Sequence, residues 1–144
     1  MNEIYNNLNI EDLTKTDSYK DFNKAQKEEI KIGILVGLDI YVYAKTEFNA
    51  YQMHQIRLGL EENLDVSIYA KIDFNDFQMS EIRLGLEKNL DVSIYAKPEL
   101  CWEQMCQIRI GLLNNLDVSI YAKTEFTWEQ MHEIRLELLK DSMF

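Results

Sequence analysis

Leu38, Leu64, Leu90 and Leu116 each open a nearly identical phrase, and successive openings stand 26 residues apart. A fixed period of this length constrains the fold strongly, because one unit is too short to bury its own apolar face and must stack on the next. The fullest statement of the phrase runs from Leu90 to Asn115, LDVSIYAKPELCWEQMCQIRIGLLNN. The period places repeats at 38–63, 64–89, 90–115 and 116–144 of a single repeat domain spanning 1–144.

The longer half of each copy carries helix signals at both ends. Asn75 is placed to accept from the amide of Gln78 while the Gln78 side chain returns to Asn75, and Phe74 is placed to pack on Met79. Together these make a capping box with a hydrophobic staple. The same arrangement recurs at Phe48-Asn49 with Gln52-Met53, at Leu100-Cys101 with Gln104-Met105, and at Phe126-Thr127 with Gln130-Met131; only Cys101 is a poor cap. Asn63, Asn89 and Asn115 stand where a helix wants a left-handed closing residue, and Gly37 fills that place earlier.

The shorter half, LDVSIYAK, allows two structures. Asp91 can cap a helix of about two turns, stapled by Leu90 and Tyr95. Alternatively Val92, Ile94 and Ala96 alternate with Ser93 and Tyr95 as in a strand, which would make a leucine-rich-like β-α horseshoe. The helix is preferred, because the leucine-rich echo LGLEEN, Leu58 to Asn63, falls inside a well-capped helix. The expected fold is therefore all-α, an α-solenoid-like array of alternating long and short helices.

Residues 1–37 form a degenerate N-terminal capping copy. Phe22, Asn23, Gln26, Ile30, Lys31 and Gly33 each precede their counterparts by 26 residues. Leu8-Asn9-Ile10 matches Leu38-Asp39-Ile40 if four residues are inserted near Thr16 to Tyr19. Lys24, Lys27, Glu28 and Glu29 give this copy the polar dressing of an end cap.

The invariant ladders are expected to serve stacking. Met53, Ile56 and Leu60 form one apolar stripe, while Leu58, Leu84, Ile110 and Leu136 point nearly opposite, toward an adjacent unit. Gly59, Gly85 and Gly111, each unfavourable by about 1 kcal/mol in mid-helix, imply close helix approach. Glu137 breaks that series. Arg57, Arg83, Arg109 and Arg135 are expected to pair with Glu47, Asp73, Glu99 and Glu125 or with exposed carbonyls. Asp39, Asp65, Asp91 and Asp117 serve as N-caps, and Tyr43, Tyr69, Tyr95 and Tyr121 pack with a wet hydroxyl. Lys45, Lys71, Lys97 and Lys123 suit the ends of the short helices.

Composition narrows the class. Hydrophobic residues make up 47%, which argues against disorder, and one proline with five glycines leaves no flexible linker. The expectation is a soluble cytoplasmic chain, since no secretory signal follows Met1 and the apolar run from Ile32 to Ala44 is broken by Asp39. No phosphate-binding loop, nucleophile elbow or zinc-protease motif occurs, so no catalytic, cofactor or metal residues are assigned. Cys101 and Cys106 point to different sides of a helix start, and His54 and His132 lie three repeats apart.

Function is sought where the copies differ. Tyr51, Phe77, Trp102 and Trp128 move an aromatic from the second to the first helical position along the chain. The units FNDFQMSEIRLGLEKNLDVSIYAK and FTWEQMHEIRLELLK resemble short helical repeats of phage and conjugative-element proteins of low-GC bacteria, with Q-M-x-E-I-R-x-G followed by L-x-x-x-x-Y-A. The resemblance covers Phe22 onward and implies a protein-binding module of a mobile element, with no catalytic residues.

Charge points to the partner. Acidic residues number 25 against 15 basic, a net charge of −10, which disfavours direct binding of nucleic acid and favours a basic protein. Glu61, Glu62 and Glu87 stand at helix C-termini, where anions oppose the dipole; with Asp73 and Asp76 they form a candidate carboxylate track. The expectation is a non-enzymatic inhibitor of a host defence nuclease, of the anti-CRISPR or antirestriction kind, occupying a basic nucleic-acid groove. The alternative is a generic interaction or scaffold protein of a mobile element. Leu138, Leu139, Met143 and Phe144 end the sequence on an apolar note, so this end is expected to pack on a second copy or on the partner.

Overall fold

A computed structural model describes residues 17–143. The Leu8-Asn9-Ile10 match and Phe144 lie outside the described residues. All regular structure among the described residues is helical, with no strand, so the horseshoe is excluded. The residues group into two compact units, divided between Ile72 and Asp73.

The first unit holds α1 (Asp17–Asp21), α2 (Lys24–Leu35) and α3 (Ala50–Glu61), with α2 packed on α3. The second holds α4 (Asp76–Glu87), α5 (Trp102–Leu113) and α6 (Trp128–Ser142), with α5 packed on both neighbours. No helix among the described residues is long and apolar enough to cross a membrane.

Each long helix starts as its capping residues dictate. Asn75 Oδ1 accepts from the Gln78 amide at 2.8 Å and Gln78 Oε1 accepts from the Asn75 amide at 2.8 Å. At Cys101 the second half of this exchange remains, the Cys101 amide donating to Gln104 Oε1 at 2.9 Å. The glutamine also joins consecutive helices. Gln26 Nε2 donates to the Phe48 carbonyl at 2.6 Å, Gln78 to Leu100 at 2.7 Å, and Gln104 to Phe126 at 2.7 Å. One side chain thus closes its own helix and holds the residue that staples the next.

The helices stop at left-handed residues, with φ of 58° at Asn63, 56° at Asn89, 59° at Asn115 and 78° at Gly37. Leu90 N donates to the Gly85 carbonyl and Asn89 N to the Leu86 carbonyl, the paired bonds of a Schellman closure. Replacing Asn89 with alanine is expected to destabilise the second unit by about 1 kcal/mol, whereas glycine is neutral or stabilising. Chemical denaturation of the two variants checks the order.

The short half is a helix, but of one turn rather than two: 3₁₀ turns at Ile40–Val42, Val66–Ile68, Val92–Ile94 and Val118–Ile120. Asp91 caps its turn as expected, accepting from the Ser93 amide at 3.2 Å. The following tyrosine ends the turn, leaving helical geometry at φ −127° in Tyr95 so that its ring points into the core.

The tyrosine hydroxyls are dry, contrary to expectation. All four rings are fully buried. Their hydroxyls donate to helix carbonyls 14 residues back: Tyr43 to Glu29, Tyr69 to Gln55, Tyr95 to Glu81 and Tyr121 to Gln107, at 2.6–2.7 Å. The mid-helix glycines make this possible. A Cβ on Gly85 would overlap the Tyr95 hydroxyl and stand 2.6 Å from Val92 Cγ1, and the same holds at Gly59 and Gly111. What approaches the glycine is therefore the following tyrosine turn, not another long helix. Leu58, Leu84 and Ile110 are only half-buried, and Leu136 is exposed.

Candidate partner-binding surface

The surface is carried by long helices locked through their arginines. Arg57 Nε donates to Glu29 at 2.6 Å and Nη1 to Glu61 at 2.7 Å; Arg109 Nε donates to Glu81 at 2.6 Å; Arg135 Nε donates to Gln107 Oε1 at 2.9 Å. For these three arginines the partners replace the expected loop acids Glu47, Glu99 and Glu125, and Arg83, expected on Asp73, donates to Glu87 at 2.6 Å. An arginine in mid-helix lies against the preceding long helix, so it meets the acceptor on that helix 28 residues back. Burial alone would lower the Arg109 pKa, but the hydrogen bond and charge of Glu81 outweigh it and raise it. Cys106, beside this pair, has its thiol pKa raised by burial and by the Glu81 charge, against the opposing effect of Arg109.

His54 and His132 complete two rungs of the ladder. His54 Nδ1 is 3.1 Å from Glu29 Oε1 and 3.1 Å from Arg57 Nη2. His132 Nδ1 stands 3.3 Å from Gln107 Oε1 and 3.2 Å from Arg135 Nη2. No group of three His, Cys, Asp or Glu among the described residues could hold a metal.

The variable aromatics are brought to one edge of the helices in each unit. Tyr51 is 72% exposed, Phe77 58%, and Trp102 and Trp128 39% each. All four occupy the first turn of their helix, where the capping box fixes the backbone. In the first unit Tyr51 lines a groove with Glu28, Glu29, Asn49 and His54. In the second, Trp102 and Trp128 line a groove with Glu103, Cys106 and Gln107, and the Phe77 and Trp102 rings lie 5.8 Å apart.

The acidic residues are divided between the two ends of the helices. Asp76 opens α4, with Asp73 just before it, whereas Glu87 closes the same helix. A helix of this length separates its ends by about 17 Å, so Asp73 and Asp76 share the aromatic edge and Glu87 does not. Glu61 and Glu87 are also paired, each accepting from the arginine four residues earlier, Arg57 at 2.7 Å and Arg83 at 2.6 Å. That pairing accounts for their place at the C-terminal turn without a partner. Glu62 is exposed at the C-cap of α3.

The residues that sequence reasoning passed over are Glu29, Glu81 and Gln107, the acceptors of the ladder. Their signal was present: positions 29, 55, 81, 107 and 133 hold only Glu or Gln, side chains that can accept from arginine. No family model matches the chain, and no curated protein or solved structure is significantly similar to it.

Proposed function

We propose that the chain is a non-enzymatic protein-binding module whose helices stack as an α-solenoid-like array. Its contact surfaces are the aromatic edges of the two units, that of Tyr51 in the first and that of Phe77, Trp102 and Trp128 in the second. The observation that carries this reading is the contrast within each copy: the constant side chains are consumed by the Tyr–Gly and Arg–Glu locks, while the variable aromatics stand exposed on rigid first turns. Large aromatics held at low entropic cost in water are the anchors that protein interfaces use.

The charge of −10 selects a basic partner, steered toward the acids Asp73, Asp76 and Glu103 beside the aromatics. A nucleic-acid-processing enzyme has such a surface. The finer reading, supported by this charge and by the resemblance to mobile-element repeats, is an inhibitor of a host defence nuclease, of the anti-CRISPR or antirestriction type, acting in the cytoplasm. The alternative is a scaffold protein of a mobile element.

Immobilised protein tests this against a lysate of a low-GC bacterium, with and without nuclease treatment. The expected result is capture of a basic nuclease that resists nuclease treatment, weakens in high salt, and falls at least tenfold with Trp102→Ala combined with Trp128→Ala. The captured enzyme should cleave DNA more slowly with the wild-type protein present. Capture of nucleic acid itself, or capture unchanged in the double variant, would refute the reading.

A further inference from the structure

The ladder of interhelical bonds has an open rung on α6. Glu133 occupies the ladder position of Glu29, Glu81 and Gln107, each of which accepts from an arginine of the following helix. No described residue supplies that arginine to Glu133. Gln130 occupies the position of Gln26, Gln78 and Gln104, whose carboxamides donate to the backbone carbonyl of the residue two before the following helix. Gln130 keeps its own cap but has no such carbonyl among the described residues.

The apolar neighbours are open as well. Phe126 and Ile134 are partly exposed, whereas Phe48, Phe74, Ile56 and Ile82 at the same positions are at most 2% exposed. Phe126, Gln130, Glu133 and Ile134 line one depression, and Leu136, Glu137 and Leu138 extend it along the helix. Glu129, Glu133 and Glu137 follow at four-residue spacing, a like-charge row unfavourable for the helix by itself and complementary to a cation.

The occupant is restricted in two ways. Another copy of the repeat would bring its tyrosine turn against position 137, and the glycine that admits that turn at Gly85 and Gly111 is Glu137 here. A second copy of this chain also lacks a spare guanidinium, since Arg57, Arg83, Arg109 and Arg135 are all hydrogen-bonded to acceptors of their own. We infer that the open face of α6 docks an arginine-bearing amphipathic helix of a partner protein, its guanidinium on Glu133 and a backbone carbonyl on Gln130. This surface is separate from the groove of Trp102 and Trp128 and stands on a different observation.

The probe is a fluorescein-labelled peptide of residues 100–113 carrying Cys101→Ser and Cys106→Ser. It presents Arg109 on the helix face that meets the Glu81 position, and it lacks the tyrosine turn that Glu137 would block. Titrated against the whole protein, it should bind saturably, and Glu133→Ala, which removes the acceptor, should weaken binding at least fivefold with circular dichroism unchanged. Arg109→Gln in the peptide should cost as much, with no further loss when the two changes are combined, and Arg109→Lys should fall between. Absent saturable binding, or binding indifferent to Glu133→Ala, overturns the inference. A dimer seen by sedimentation and dispersed by Glu133→Ala would assign the face to a second copy and overturn it equally.

Discussion

Tyr95→Ala is expected to destabilise the second unit by about 3–5 kcal/mol, the cost of emptying a fully buried aromatic site, which is a large share of the roughly 5–15 kcal/mol that holds a domain together. The ring is fully buried and its hydroxyl bonds the Glu81 carbonyl, so both the cavity and the lost bond count. Tyr95→Phe should cost only about 1 kcal/mol, because it removes the bond and keeps the ring. Gly85→Ala separates this lock from ordinary helix propensity by its sign. Propensity favours alanine in mid-helix by about 1 kcal/mol. The lock opposes it, because the new methyl would overlap the Tyr95 hydroxyl and force the turn outward, at about 1–3 kcal/mol for the overpacking plus the strained hydrogen bond. A net loss of about 1–2 kcal/mol follows. Urea denaturation of the variants, followed by helical ellipticity, decides the matter. A Gly85→Ala protein more stable than the parent would show that the glycine does not serve the tyrosine.

The same lock shows what the sequence disclosed and what it withheld. Helix starts and stops were legible because capping is local: Asn75 with Gln78, and Asn89 at positive φ, need only a few residues of chain to define them. The 3₁₀ turn was legible as a helix through Asp91, but its length was not. Tyr95 cuts it short for a contact 14 residues away, and the hydrophobic pattern of LDVSIYAK contains no sign of that distance. The glycines announced close packing without naming the partner. The arginines were misassigned for a similar reason. Arg109 lies nearer in sequence to Glu99 than to Glu81, and only the packing of α5 on α4 makes the longer separation the shorter distance. The aromatic edge of each unit was readable as variation between copies. The division of the acids between opposite helix ends was readable from Asp76 at the first position of α4 and Glu87 at the last, had the helix been treated as a rod with a length.

Alkaline solution should unfold the protein through its buried tyrosines. Burial pushes the Tyr121 hydroxyl up to about 12, with Arg135 opposing it, and pushes Tyr43 and Tyr95 higher still, against the opposing charges of Arg57 and Arg109. In the unfolded chain a tyrosine ionises near pH 10. Below that value both states are neutral at these groups and their full contribution to stability is present. Above it the unfolded chain releases protons that the fold retains, so stability falls by up to about 1.4 kcal/mol per pH unit for each tyrosine until its folded pKa is passed. Tyr95 and Tyr121 act on the second unit together, a fall of up to about 3 kcal/mol per pH unit between about pH 10 and 12. Tyrosinate absorbance near 295 nm should therefore rise in step with loss of helical ellipticity, as one cooperative transition for Tyr95 and Tyr121 of the second unit. Tyr95→Phe with Tyr121→Phe should lower stability at neutral pH, flatten its decline above pH 10, and leave the second unit less sensitive to base than the first. Ionisation of the buried tyrosines near pH 10 with the helices intact would mean that their hydroxyls reach water, and the dry Tyr–Gly lock would have to be abandoned.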